Sequence, residues 1–142
     1  KDGARIAVPN DPTNGGRALL LLQAKGLIGL RDGAGLKASP VDITSNPKKL
    51  QIVELDAAQL PRSLDDVDAA AVNTNYALEA GLNPNSDTIA RESSESPYAN
   101  VIAVRTVDKD KPWVATLVNS YHTPEVRQFV LDKFKGAVAP AW

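Results

Sequence analysis

Short apolar runs separated by polar turns predict three strands in the first half of the chain. The runs occupy residues 6–8, where Pro9 ends the first strand, and residues 50–55 and 69–72. Polar or helical stretches separate them, and strands that alternate with helices usually form a parallel or mixed sheet. We therefore predict an α/β fold in which helices cover both faces of such a sheet.

A helix is predicted between the first two strands, because four consecutive leucines follow a polar turn and a pair of glycines. Thr13 or Asn14 is the expected N-cap, and Gly26 is expected to end the helix. Shorter helical segments are predicted at 57–64, where a proline interrupts the pattern, and at 74–80.

The last third of the chain has a different pattern. An apolar run at 98–105 predicts a longer strand, and helical spacing at 113–121 and 124–134 predicts two amphipathic helices. Residues 84–97 are polar and predict a crossover between two structural units. One face of the last helix is expected to carry Val126, Phe129, Val130 and Phe134.

Composition and charge exclude several classes of protein. The 142 residues carry a formal net charge of −1 and contain no cysteine. The chain therefore has no thiolate site and lacks the basic surface of a nucleic-acid-binding protein. Its longest apolar run, at 18–22, is far shorter than the roughly 18 residues of a membrane-spanning helix. Because the chain also lacks methionine, we interpret it as a processed or partial sequence.

The turn between the first strand and the first helix has the chemistry of a carboxylate-binding site. The first N–H groups of a helix have no partner within it and can bind an anion. Arg17 is expected in the first helical turn, where its guanidinium offers two parallel donors to a carboxylate. An ordinary surface arginine is the alternative. Asn14 is a helix cap or a ligand contact, and the two roles are compatible.

Two further asparagines are candidate ligand contacts. Asn73 follows the strand at 69–72, and ligands of open α/β sheets bind beyond the carboxyl ends of strands; a second helix cap is the alternative. Asn100 interrupts the last predicted strand, where a buried amide needs partners; a turn-facing residue of an edge strand is the alternative. Tyr98 and Asn75 are weaker candidates that we interpret as structural.

The sequence suggests no catalytic or metal site. Gly33 and Gly35 lack the preceding strand that a dinucleotide-binding loop requires, so they predict a plain turn. His122 has no ligand motif around it and is expected at a helix end or exposed. Three aspartates lack the spacing of a calcium loop and are interpreted as a turn: Asp65, Asp66 and Asp68. We therefore expect a binding protein that is not an enzyme and uses no cofactor.

Several long motifs follow one another along the chain: VPNDPTN at 8–14, GRALLLLQ at 16–23, QLPRSLDD at 59–66, SPYANV at 96–101 and FKGAVAPAW at 134–142. In this order they resemble the bacterial methionine-binding lipoproteins of methionine ABC importers. The resemblance covers essentially the whole chain but only part of such a protein. Gly15 stands where the family usually has a larger residue.

The resemblance implies a periplasmic-binding-protein type 2 fold, in which two lobes hold the ligand in the cleft between them. Residues 1–83 would form one complete lobe, 84–97 the crossover, and 98–142 the C-terminal segment of the other lobe. The first half of that other lobe, which supplies aromatic residues and a histidine around the methionine side chain, is absent from this chain. The lipid-bearing cysteine is also absent. The parent protein would be lipid-anchored and periplasmic or part of the cell envelope.

For the site, the resemblance implies that Arg17 binds the α-carboxylate of methionine. It places Asn73 and Asn100 near the amino and carboxylate groups of the ligand, and Asn14 stays a candidate ligand contact. The membrane subunits of an ABC importer would be the partners, and nucleic acid would not. L-methionine, D-methionine and a methionine-containing dipeptide all stay open as ligands.

Because half of one lobe is absent, we expect weak or no methionine binding by an isolated monomer. The alternative is that the uncovered strand at 98–105 pairs with another chain in a domain-swapped or intertwined oligomer. An enzyme or a regulator on the same fold is a third hypothesis, but the sequence offers neither a catalytic group nor a DNA-binding helix pair.

Overall fold

The computed structural model describes residues 1–92, 98–138 and 140–142. The chain divides into two units, Lys1–Asp87 and Thr88–Trp142. The predicted crossover at 84–97 includes residues 93–97, which lie outside the described residues. Within the described ranges, every strand belongs to the first unit.

A parallel sheet of three strands forms the centre of the first unit. Strand β1 (Arg5–Pro9) lies between β4 (Gln51–Leu55) and β5 (Ala69–Ala70), in the order β4-β1-β5. Ala7 and Val8 of the middle strand are almost completely buried, as expected for a strand that is paired on both edges. The three predicted strands and their parallel pairing are confirmed. The bounds are β1 (Arg5–Pro9), β2 (Gly29–Leu30), β3 (Ile43–Ser45), β4 (Gln51–Leu55) and β5 (Ala69–Ala70).

Helix α1 (Pro12–Ala24) follows β1 after a short turn. Asp11 is its N-cap and accepts a hydrogen bond from the backbone N–H of Asn14 at 3.0 Å. The expected cap at Thr13 or Asn14 is therefore wrong. Pro12 has no N–H and its fixed φ suits the first helical position, so the cap is the residue before it, Asp11. The helix ends at Ala24 with Lys25 as its C-cap, and Gly26, with φ +68°, follows as the predicted terminating glycine.

Two glycines let the start of α1 pack directly against backbone. A Cβ at Gly16 would lie 2.7 Å from the carbonyl oxygen of Leu36 and 3.0 Å from that of Ala38, and a Cβ at Gly15 would lie 2.7 Å from that of Pro9. This close approach seats Leu19, which is 0% exposed, in the core of the unit. The core also contains Ala4, Ile28, Leu30, Ala38 and Leu50.

A second, two-stranded sheet lies beside this core. Strands β2 and β3 pair antiparallel, although the sequence predicted only a plain turn at Gly33 and Gly35 in this region. The connection between them is fixed by Asp42, which is 5% exposed and accepts hydrogen bonds from the guanidinium of Arg31 and from the N–H and hydroxyl of Ser39. These bonds close a 3-10 turn at Pro40–Asp42. Strands of two and three residues are too short for the periodicity of the sequence to reveal.

Short helices complete the first unit. Helix α2 (Thr74–Glu79) follows β5, as predicted. The segment predicted as a helix interrupted by proline forms two 3-10 turns, Ala57–Gln59 and Arg62–Asp65.

The second unit contains the two helices predicted from the spacing of its apolar residues. They are α3 (Pro112–Tyr121) and α4 (Pro124–Phe134), and Thr123 caps α4 by accepting from the N–H of Val126 at 3.2 Å. Val130 of α4 is buried, but Phe129 is 61% exposed, so the expected apolar face is only partly covered. His122 follows α3 as its C-cap and is exposed, as expected.

The strand predicted at 98–105 does not form. Residues 98–105 have no regular secondary structure, and Val101 is 83% exposed. An apolar run becomes a strand only when a neighbouring strand satisfies its N–H and C=O groups, and the described part of this unit contains no other strand. The prediction of a strand here was wrong because it rested on composition without a pairing partner.

We expect Gly16→Ala to lower the free energy of unfolding by about 1–2 kcal/mol. Overpacking against backbone costs about 1–3 kcal/mol, and the better helix propensity of alanine offsets up to about 1 kcal/mol. Urea denaturation followed by circular dichroism measures the change. Thr13→Ala, at an exposed position of the same helix, is the control and should stay within about 0.5 kcal/mol of the parent. An unchanged midpoint for Gly16→Ala would contradict the close packing.

We expect the Asp42 cluster to contribute to acid unfolding. The hydrogen bond from Arg31, followed by those from Ser39, holds the pKa of Asp42 below its ordinary 3.8. A depressed pKa stabilises the fold above the unfolded-state value, and this contribution is lost as pH falls below about 4. Asp42→Asn should therefore be less stable than the parent at pH 7, and the difference should shrink on acidification. Asp32→Asn, in the exposed turn nearby, is the control; a pH-independent difference for Asp42→Asn would refute the assignment.

Candidate functional site

The candidate site lies at the carboxyl edge of the parallel sheet, where β1 and β5 end. Asn14 stands in the first turn of α1, which leaves the end of β1, and Asn73 follows β5. Parallel neighbours end at the same edge, and this edge is where open α/β sheets bind ligands. The sheet topology therefore brings together two side chains that are far apart in sequence.

Asn73 uses its side chain for this long-range contact and not as a helix cap. It occupies the N-cap position of α2, but its side chain makes no capping hydrogen bond. Its Nδ2 instead donates to Oδ1 of Asn14 at 2.9 Å. The alternative interpretation of Asn73 as a second helix cap is therefore wrong for its side chain.

Asn14 is in turn held by Asp11. The Nδ2 of Asn14 donates to both carboxylate oxygens of Asp11, at 3.2 Å to Oδ1 and 3.0 Å to Oδ2. The backbone N–H of Asn14, followed by the side-chain bond, keeps the pKa of Asp11 below its ordinary value, although desolvation opposes this. Asp11, Asn14 and Asn73 thus form one polar chain, which we call the amide relay. Sequence reasoning missed Asp11, although an aspartate directly before a proline is an N-cap signal.

The free end of the amide relay is a buried acceptor. Oδ1 of Asn73 is inaccessible to solvent and has no hydrogen-bond partner. A buried acceptor without a donor costs about 1–3 kcal/mol, so such atoms call for a specific explanation. A ligand that carries an N–H group would satisfy it.

Arg17 lies in the second turn of α1 and not in the first, because the helix begins at Pro12. The expected position in the first turn was therefore wrong. Arg17 is half-buried and follows Asn14 by three residues, and residues three apart share a helix face. The guanidinium and the amide relay thus belong to one side of α1.

The other candidates belong to other parts of the chain. Asn75 is exposed on α2. Asn100 and the half-buried Tyr98 belong to the second unit, and Asn100 is exposed there. The group of candidates that the first unit assembles therefore consists of Asn14, Arg17 and Asn73.

A small open cavity of about 150 Å³ lies beside the end of β1. It is smaller than the roughly 300–1,000 Å³ typical of ligand pockets, and neither Asn14 nor Asn73 lines it. Its walls come from the end of β1, the start of α1, β4 and the loop at 37–40, including Val8, Asp11, Gly16, Lys37 and Glu54.

Metal and membrane sites were also sought. Across residues 1–92, 98–138 and 140–142, histidine and acidic side chains do not gather in groups of three that could hold a metal ion. None of the helices in these ranges is both long and apolar enough to span a bilayer.

Solved structures of binding proteins share this fold. A nutrient binding protein from Burkholderia cenocepacia, described as bound to methionine, matches with a TM-score of 0.91 and 59% identity, covering 99% of this chain and 60% of that protein. The methionine binding protein MetQ matches with a TM-score of 0.85 and 49% identity, covering 100% of this chain and 59% of that protein. The mixed helix and strand fold is therefore that of part of these proteins.

Sequence relatives agree with the structural match. A probable D-methionine-binding lipoprotein MetQ from Vibrio cholerae is 51% identical over 142 residues, which is all of this chain and 53% of the relative. The D-methionine-binding lipoprotein MetQ of Escherichia coli K12 is 49% identical over 144 residues, again covering 53% of the relative. The chain thus spans about half the length of these relatives. Because the sequence profile of the NlpA lipoprotein family matches residues 1–142 in full, the chain belongs to that family.

Proposed function

We propose that this chain is part of a periplasmic solute-binding protein, not an enzyme, that binds methionine between two lobes and supplies an ABC importer. The family and the names of its relatives support the ligand and the class of protein. A structural match to a protein described as a periplasmic substrate-binding protein of an ABC transporter from Coxiella burnetii supports the transport role. The observation that carries the proposal is the buried Oδ1 of Asn73, an acceptor suited to the ammonium group of an amino acid.

The proposed ligand contacts follow from chemistry. Arg17 binds the α-carboxylate, because a guanidinium donates two parallel hydrogen bonds to a carboxylate. Asn73, held by Asn14, accepts from the ammonium group. Asn100 completes the contacts to the amino-acid backbone from the second unit. This division of roles gives each charged group of a zwitterionic ligand its own partner.

The proposed organisation keeps residues 1–83 as one lobe, 84–97 as the crossover and 98–142 as the C-terminal segment of the other lobe. Closure of the two lobes on the ligand by a hinge motion would be the signal that the membrane subunits read. The methionine thioether needs apolar and aromatic walls, and we assign these to the part of the relatives that this chain does not span. A lipid anchor would hold the parent protein at the cell envelope.

A second candidate function, self-association, is favoured by the exposed apolar side chains of the second unit. Clusters of exposed apolar side chains mark interaction surfaces. Since the strand at 98–105 does not form, we propose that copies associate through side-chain contacts and not through a preformed strand edge. The exposed residues include Ile89, Val101, Val107, Trp113 and Phe129.

We expect Arg17→Ala to weaken methionine binding about 30-fold or more. A charge-assisted hydrogen bond contributes about 1.5–3 kcal/mol, and Arg17 would make two. Isothermal titration calorimetry with the parent chain and the variant measures the loss. Arg62→Ala removes an exposed arginine from a 3-10 turn and is the control, with unchanged affinity expected. Equal affinity of Arg17→Ala and the parent would contradict the assignment, and no binding by the folded parent chain would show that the site needs the part of the relatives that this chain does not span.

We expect the chain to form oligomers at high concentration and Phe129→Lys to shift it towards the monomer, because a charge cannot be buried unpaired at an apolar interface. Sedimentation velocity over a concentration series measures the effect. Gln128→Lys places the same charge at the neighbouring exposed position and should leave association unchanged. A monomer at every concentration would refute self-association.

A further inference from the structure

The two ends of an asparagine amide differ chemically, since one donates and the other accepts, and a half-turn of the side chain exchanges them. Which end of Asn73 points outward therefore decides which ligand group it can bind. Asn73 makes no capping bond that would fix this choice locally. The choice must come from the amide relay.

The relay has a direction because one end of it can only accept. An ionised carboxylate has no proton to donate, so Asp11 obliges Asn14 to turn its Nδ2 inward, where it contacts both carboxylate oxygens. Oδ1 of Asn14 then faces away from Asp11. It can accept only from a donor, and Nδ2 of Asn73 supplies that donor at 2.9 Å.

The remaining end of Asn73 is then an acceptor. We propose that Asp11 is a positioning residue which, through Asn14, orients the Asn73 amide with its carbonyl oxygen free for an N–H donor of the ligand. The proposal rests on the proposed function in identifying that donor as the ammonium group of an amino acid. Oδ1 of Asn73 is buried and without a partner, as this orientation requires.

This role can be separated from helix capping. Asparagine caps helices about as well as aspartate, so Asp11→Asn keeps the cap on the N–H of Asn14. The amide introduced by Asp11→Asn would put its NH₂ group in place of Oδ2, which Nδ2 of Asn14 contacts at 3.0 Å. Two donors would then face each other, and only the longer contact of 3.2 Å to Oδ1 would be left. Rotation of Asn14 relieves this conflict and offers its NH₂ to Asn73, which must then rotate and turn its own NH₂ outward. A single substitution is thus expected to reverse the polarity of the whole relay.

The direct test needs no ligand. Heteronuclear NMR of the side-chain NH₂ groups of Asn14 and Asn73 in the 142-residue chain reports their hydrogen bonds and solvent exchange. We expect Asp11→Asn to shift both pairs of signals and to speed exchange of the Asn73 NH₂, with an unchanged midpoint of urea unfolding because asparagine caps helices about as well as aspartate. Asp56→Asn is the matched control, because Asp56 also caps a turn, accepting from the N–H of Ala58 at 2.9 Å. It should leave Asn73 unchanged.

A second variant, Asn14→Ala, tests whether the effect of Asp11→Asn on Asn73 passes through Asn14. In Asn14→Ala the relay is interrupted, so adding Asp11→Asn should no longer alter the Asn73 signals. The proposal would be overturned if Asp11→Asn left the Asn73 NH₂ signals of the parent chain unchanged. It would also be overturned if Asp11→Asn altered those signals equally in the Asn14→Ala background.

A binding measurement then tests the selectivity. Calorimetry compares methionine with its deaminated analogue, which keeps the carboxylate and the thioether. Asp11→Asn should weaken methionine binding about tenfold, as loss of a charge-assisted hydrogen bond implies, and should change binding of the analogue less than about twofold. An equal loss for both would overturn the selectivity. No methionine binding by the parent chain, with the NMR result intact, would uphold the relay and count only against methionine binding by this chain in isolation.

Discussion

The pairing of β1 on both of its edges is the constraint on which the other features depend. Because β4 and β5 flank β1 in parallel, the polar segment after β5 reaches the same edge as the turn into α1. The two glycines at the start of α1 then allow the helix to approach the backbone of Pro9 and of residues 36–38. Asn14 on α1 can form its hydrogen bond with Asn73, which follows β5, only because both conditions hold.

Local signals made much of the first unit predictable. Apolar runs placed all three strands of the parallel sheet, and Gly26 marked the end of α1 because a left-handed residue suits glycine. The strand at 98–105 could not be judged in this way, since a strand depends on a distant partner and not on its own residues. The short strands β2 and β3 gave no periodic signal, and the hydrogen bond from Arg31 to Asp42 that helps to fix their connection spans 11 positions.

The residue types of the candidate site were predictable, but the hydrogen bonds that connect them were not. Asn14, Arg17 and Asn73 could be chosen from their places beside strand ends and helix starts. The role of Asp11 could not, since it depends on the hydrogen bond between Asn14 and Asn73, which are separated by 59 positions. A capping aspartate is common, and only the structure reveals that its second oxygen directs another side chain. The role of such a residue depends on a series of hydrogen bonds that no local sequence motif encodes.

The buried carbonyl oxygen of Asn73 also affects the ligand-free state of the protein. An acceptor shut away from solvent raises the free energy of any arrangement that keeps it shut away. Arrangements of this edge that admit water to the oxygen are relieved of that cost. An incoming N–H group would replace the water and remove the penalty of drying the edge. Under the proposed function, the same acceptor that binds the ligand would make drying of this edge depend on the ligand's presence.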